Sequence, residues 1–340
     1  MSAPAVSPTS PPSTKEQAQR TRLTIFTTKW AGQIGITMAF LLLWAVFLAL
    51  APDTFAGDRI YKSFGQTVPQ FAIIAMMLTM VIVSGDIDLS FPSVMGLGMV
   101  GFVWVWDATD IVLLGVIAAI GVGAAAGLFN GLIITFIGLP SLVVTIGTQF
   151  LFRGMTLVLV GGSSFALAAT RGDPAREALV GKPLGIPMEF VWFLGITVLA
   201  WVLLNRHRLG GNTYVIGDNA QTARLMGVPI RRTRIVLFML TGMAAALAGM
   251  MLSLQVVNFY PNVGSGLLLP ALAAVFVGGT SVFGGRGSVY GTFLGALMIG
   301  AIPAGIVAAG LTDFWTQAIY GAIILIAISI HAVLQRRFQR

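Results

Sequence analysis

Few residues in this 340-residue chain are equipped for chemistry. Two carboxylates, Asp86 and Asp88, stand in the string Ser84-Gly85-Asp86-Ile87-Asp88-Leu89-Ser90, and one cation, Arg153, interrupts the apolar stretch from Leu151 to Val160. A charge at the centre of a bilayer costs on the order of 3 kcal/mol, so each must face a cavity, a partner or the interface. Two roles are open for the carboxylates: lining a polar pathway, or, for Asp88 with Ser90, capping the helix that follows. Arg153 either pairs with a carboxylate or a solute hydroxyl, or snorkels toward the interface. A glycine string, Val277 to Ser288, contains Gly278, Gly279 and Thr280. Unwound backbone of that kind at membrane depth is tolerated only against protein or a watery cavity. Asn258, Phe259 and Asn262 combine amides with an aromatic, which suits either hydroxylated rings or an interfacial belt beside a turn.

Other chemistries are excluded. The absence of cysteine rules out thiol nucleophiles, disulfides and iron–sulfur sites. His207 and His331 are far apart in sequence, so no metal pair is expected, and nothing suggests a cofactor. Without clustered carboxylates or paired histidines, a membrane-embedded enzyme has few candidate catalytic groups. No GxxxxGK[ST] spacing occurs, so any nucleotide would have to bind another polypeptide.

The elements that position these residues follow from hydropathy. Hydrophobic residues make up 56% of the chain and charged ones only 9%, against a soluble average of roughly 25% charged. Charge-free runs of about one bilayer length occur at 30–52, 63–85, 89–106, 190–205, 287–312 and 314–335. Two double-length runs, 111–152 and 235–285, break at Gly138-Leu139-Pro140 and at the turn-rich Asn258 to Gly266. The expected fold is therefore all-α, a polytopic membrane bundle of about ten transmembrane helices. Lysine and arginine concentrate in the amino-terminal tail, in the segment 205–234 and at the carboxy end. Ten spans put all three on one face, which the positive-inside rule makes cytoplasmic, together with both termini. The net charge of +8 thus reflects membrane orientation, and nucleic acid is not an expected partner. Interrupted glycine-rich segments near Gly85 and Gly278 leave open two inverted halves of five helices.

Residues 1–28, rich in Pro, Ser, Thr and Gln, read as a disordered cytosolic tail, and 29–340 as the membrane domain. Ala49-Leu50-Ala51 resembles a signal-peptide cleavage site, but the full-length apolar run and Pro52 favour a retained span. In the outer loop 161–188, Asp173-Pro174 predicts a short helix to about Val180. In the inner loop 205–234, Asp218 and Asn219 can cap a short helix, Ala220 to Met226, stopped by Gly227, Val228 and Pro229. Thr222, Leu225 and Met226 share one side, with Ala220 and Ala223 beside them. So short a helix needs a partner surface, either the bundle itself or a separate subunit. Small-residue sets, Gly242, Ala246 and Gly249 or Gly291, Gly295 and Gly300, are expected to pack helices closely.

Four ordered strings then carry a family resemblance: VSGDIDLSFPSVMGL (83–97), NGLIITFIGLPSLVVTIGTQFLFRGMTLVL (130–159), GDNAQTARLMGVPIRRTRI (217–235) and LAAVFVGGTSVFGGRGSVYGTFLGALMIG (272–300). Over roughly residues 65–335 the chain resembles the inner-membrane permeases of the ribose, arabinose and xylose class of ABC importers. The resemblance implies a multi-pass permease of the bacterial inner membrane. It also implies a second permease copy, two ATPase subunits and a periplasmic sugar-binding protein as partners. It further implies that Asn219, Ala220, Thr222, Ala223, Arg224, Leu225, Met226 and Gly227 couple to the ATPases, with no catalytic role for this chain. Where that family typically has a double glycine, this chain has Gly85-Asp86, so site assignments there do not transfer directly. The rival readings are a branched-chain amino acid permease of the same class, and an ion-coupled transporter whose relay could draw only on Asp86, Asp88 and Arg153.

Overall fold

The structure, a computed structural model, describes residues 14–338 except Asp313, with side chains over 32–329 except that residue. The chain begins with α1 (Thr14–Leu50), turns through α2 (Pro52–Phe55) into α3 (Asp58–Thr67), then bends by 52° into α4 (Pro69–Val83). A short turn leads to α5 (Phe91–Thr109) and α6 (Val112–Leu132), which closes in a π-turn over Ile133–Ile137, and then to α7 (Ser141–Leu159). Strand β1 (Phe165–Ala166) and α8 (Pro174–Val180) occupy the next connector, before α9 (Met188–Asn205). There follow α10 (Arg208–Asp218), α11 (Ala220–Leu225), α12 (Ile230–Gln255), strand β2 (Asn258–Phe259), α13 (Leu268–Val277), α14 (Val289–Ala308) and α15 (Trp315–Phe338). The fold is an all-α polytopic bundle, as the sequence implies.

Each expected apolar run holds one helix or one bent pair. Among the described residues seven helices are long and apolar enough to cross a membrane, or eight if α3 and α4 form one broken span. Helix α13 has ten residues, about 15 Å of rise, half of a ~30 Å hydrocarbon core. Helix α15, 24 residues from Trp315 to Phe338, is also long enough to cross, so with α3 and α4 taken as one broken span, α13 is the one helix among the ten expected runs that is too short to do so. Helix α1 starts at Thr14, so helix extends into the segment read as a polar tail, and residues 1–13 lie outside the described ones.

Helix α4 lies at the centre of the bundle. Every one of its residues except Gln70 is buried, as befits a helix apolar on all sides. Helix α12 runs antiparallel to it: Gln70 donates to Gln255 (2.9 Å) at one end, and Arg234 meets Asp86 at the other. Helices α6 and α12 touch through glycines. A Cβ on Gly123 would collide with the Gly242 carbonyl, and one on Gly242 with the Gly123 carbonyl. This is the close packing the small-residue sets led us to expect. Large apolar side chains such as Phe150, Val158 and Val198 face outward, while Thr79, Asn130 and Thr292 are buried. That distribution suits hydrocarbon surroundings.

Candidate functional site

The arginine-rich end of the bundle is organised by two turns of the same geometry. Helix α4 stops at Gly85 (φ +83°): the Gly85 amide donates to the Ile82 carbonyl (2.9 Å) and the Asp86 amide to the Val81 carbonyl (3.1 Å). Helix α13 stops at Gly279 (φ +85°): the Gly279 amide donates to Phe276 (3.0 Å) and the Thr280 amide to Val275 (3.2 Å). Both are Schellman caps, in which a left-handed glycine returns two amides to the last helical turn. The turns meet, because the Gly285 amide donates to the Val83 carbonyl (2.9 Å). Asp86, Asp88, Gly278, Gly279 and Thr280 are thereby gathered at one end. The two glycine segments that hinted at inverted halves thus lie at the same end, and are not each other's inverted counterparts.

Asp86 is 5% exposed and forms an ion pair with Arg234, Nε to Oδ2 2.8 Å. Ser84 Oγ also donates to it (3.3 Å). Asp88 instead accepts from the amide (2.8 Å) and hydroxyl (2.7 Å) of Ser90, and Asn130 Nδ2 donates to the same hydroxyl (2.8 Å). These contacts close a local turn onto Ser90, the residue before α5, whose first amides carry no side-chain cap, so Asp88 does not cap that helix. Burial pushes both carboxyls, in the turn outside α4 and α5, above the ordinary carboxylate range; Arg234 pulls Asp86 the other way. Helix α7 pins this turn from the side: Ser141 Oγ accepts from the Ile87 amide (3.0 Å) and Thr145 Oγ1 donates to the Ile87 carbonyl (3.2 Å). Sequence reading missed Asn130, whose signal was a lone amide within an apolar run.

It also missed α10, because Gly210 and Gly211 argue against a helix there. This helix seats the inner loop against both turns. A Cβ on Gly217 would run into the Val83 carbonyl and lie 2.5 Å from the Gly285 nitrogen, and Tyr214 Oη donates to the Gly287 carbonyl (2.8 Å). Helix α11 follows at once. Asn219 accepts from the Thr222 amide (2.9 Å) as its cap, and Gly227 takes the left-handed conformation after it (φ +75°). Ala223 is buried against the bundle, while Leu225 and Met226 are 84% and 68% exposed.

The remaining candidates lie at the opposite end, since the stretch of α12 from Arg234 to Gln255 spans roughly 30 Å. There β1 and β2 pair antiparallel, with Phe165 opposite Phe259 and Ala166 opposite Asn258. Phe259 is fully buried and stacked on Phe165, so its ring is taken up in packing. Arg153 Nη2 donates to Ser265 Oγ (3.0 Å) in the connector that also holds Asn262. Asp173 caps α8 through the Ala175 amide (2.8 Å), as its Asp-Pro start predicts. The pathway candidates thus form two groups at the two ends.

Known proteins with this arrangement of sequence are transport subunits. Residues 63–328 match the family described as the branched-chain amino acid transport system / permease component. The ribose import permease protein RbsC of Escherichia coli K12 is 33% identical over 306 residues, covering 89% of this chain and 94% of the relative. The autoinducer 2 import system permease protein LsrD of Salmonella typhimurium is 33% identical over 278 residues, covering 78% and 81%. Its counterpart in Yersinia enterocolitica is 34% identical over 267 residues, covering 75% and 78%. The resemblance drawn from the four strings is borne out, and the chain belongs to this family of multi-pass importer permeases.

Proposed function

We propose that this chain is the channel-forming subunit of an ATP-driven importer that moves a monosaccharide or related polyol across the bacterial inner membrane by alternating access. The observation that carries the reading is α11, which presents Leu225 and Met226 to solvent from a helix too short to stand alone, yet is fixed through α10 to both helix-ending turns. An apolar tip on a braced lever is what a separate ATPase needs in order to move the bundle. In this mechanism the arginine-rich end and both termini face the cytosol, and the membrane domain, 29–340, pairs with a second copy above two ATPase subunits. ATP binding draws the two α11 helices together and opens the bundle outward for solute released by a periplasmic binding protein; hydrolysis, on the partner subunits, resets it. Arg153, Asn258 and Asn262 would meet solute at the outer end, with Asp86 and the Gly278-Gly279-Thr280 turn at the inner exit. The importers of ribose and autoinducer 2 among its relatives favour a small hydroxylated solute.

Leu225→Asp puts a charge where an apolar contact is needed. Transport and transport-linked ATP hydrolysis fall to background in vesicles holding the permease with its co-encoded partners, while membrane insertion is unchanged. Normal coupling in that variant would refute the assignment of α11. Uptake of labelled pentoses, hexoses, polyols and leucine by the unsubstituted assembly separates sugars from the branched-chain alternative that the family description names.

A further inference from the structure

A cavity of about 1130 Å³ opens beside the first turn, between the π-turn that closes α6, the start of α7 and the start of α12. Its lining joins two chemistries. Arg224, Arg231 and Arg232 bring three guanidinium groups, while Ile134, Leu139 and Leu142 bring apolar surface. The one carboxylate lining it, Asp86, is already paired with Arg234. Among the described residues no carboxylate lies within ion-pair distance of Arg224, Arg231 or Arg232. The cavity therefore holds a surplus of positive charge with no internal partner.

Its surroundings point to where the missing anion comes from. Arg231, which lines the cavity, also stacks over the ring of exposed Phe136, 5.1 Å from guanidinium carbon to centroid. Ile137, at the end of the π-turn, Leu139, in the connector, and Leu142 and Val143, in the first turn of α7, are likewise exposed and apolar. Cations at helix ends above a band of outward apolar side chains match an anionic phospholipid, its phosphate among the guanidiniums and its acyl chains along the band. A soluble anion would have no use for the apolar half. We infer that this cavity is a binding site for the headgroup of an anionic membrane phospholipid, held chiefly by Arg231 and Arg232. A lipid there would bear on the α4–α5 turn and on the start of α12, the two segments that the Asp86–Arg234 pair joins.

The test uses the whole permease, purified and delipidated in neutral detergent, with bound lipid counted by native mass spectrometry. Phosphatidylglycerol is expected to bind at least tenfold more tightly than phosphatidylcholine. The double variant Arg231→Gln/Arg232→Gln, both exposed positions, is expected to lower phosphatidylglycerol affinity about thirtyfold and leave phosphatidylcholine unchanged, given about 1 kcal/mol per basic residue near an anionic surface. Equal binding of the two lipids, or a double variant that binds phosphatidylglycerol normally, overturns the inference. Displacement of the lipid by millimolar inorganic phosphate alone overturns it in favour of a free-anion site. A double variant that keeps its lipid but loses the co-encoded ATPase reassigns the surface to that subunit. No arm depends on transport, so failure here is distinct from failure of the α11 assignment.

Discussion

Helix α4 ends on Val81-Ile82-Val83-Ser84-Gly85-Asp86, and α13 ends on Val275-Phe276-Val277-Gly278-Gly279-Thr280. The backbone treats them alike, with a left-handed glycine fifth and the sixth amide returned to the first carbonyl. The side chains do not. Asp86 reaches Arg234 and ties its turn to α12, whereas Thr280 Oγ1 is buried with no hydrogen-bond partner among the described residues. The segments that follow diverge further: Ile87 is pinned by Ser141 and Thr145 of α7, while Gly284, Gly285 and Gly287 pack on α10 and on Thr280. A cap that needs only glycine and backbone leaves the next residue free to specialise. Here one copy couples the bundle electrostatically to α12, and the other couples it by close backbone contact to the arm that carries α11.

The sharpest way to break this pairing is at their shared contact. Gly217→Ala places a methyl group against the Val83 carbonyl and the Gly285 amide, both backbone atoms that cannot swing aside. Overpacking of this kind costs about 3 kcal/mol. The expected result is a melting temperature in detergent lowered by several degrees and ATP hydrolysis that no longer responds to solute. A stable, coupled Gly217→Ala protein would mean that α10 does not transmit motion through this junction.

How much of this was legible in the sequence depended on whether the signal was local. The ends of α8 and α11 followed from Asp173-Pro174, Asn219 and Gly227, because caps and stops are set by neighbours in the chain. Helix positions followed from charge-free runs, since hydrocarbon admits little else. The bend between α3 and α4, the short α13 and the glycine-bearing α10 did not, because packing across the bundle decides them. The same divide runs through the site. Asp86 stood out as a carboxylate near hydrocarbon, but its partner Arg234 lay far along the chain among many arginines. Phe259 was singled out for its aromatic face, which the β1–β2 pair buries.

A smaller effect is expected at that ion pair. Arg234→Gln leaves Asp86 buried without its counter-charge. Removing one partner of a fully buried pair costs 3–5 kcal/mol, and because Arg234 is 24% exposed the loss is about 2 kcal/mol. The sign of its pH dependence follows from the raised Asp86 carboxyl. The folded protein binds this proton more tightly than the unfolded chain, so the contribution is favourable at low pH and is lost as pH rises from the ordinary carboxylate value, about 3.9, through the folded one. Without Arg234 the carboxyl rises further, so thermal stability in detergent should fall over a wider pH range than in the parent. Adding Asp86→Asn to Arg234→Gln should flatten that fall, and an unchanged slope would place the titrating group elsewhere.

The smallest effects bear on the likeness itself. A Cβ at Gly279 meets nothing within 4 Å and one at Gly85 only the Gly217 Cα at 3.9 Å, so alanine at either meets no clash. Each substitution should then cost only the strain of a left-handed alanine, about 1 kcal/mol, with the two losses equal within error. Asparagine, which tolerates this conformation better, should recover part of the loss at both positions. Melting of the four single variants in one detergent measures this directly. A Gly85→Ala loss several times that of Gly279→Ala would show that the first turn moves against α10 in the conformational cycle while the second stays fixed, since the static contacts at the two glycines are too similar to account for it.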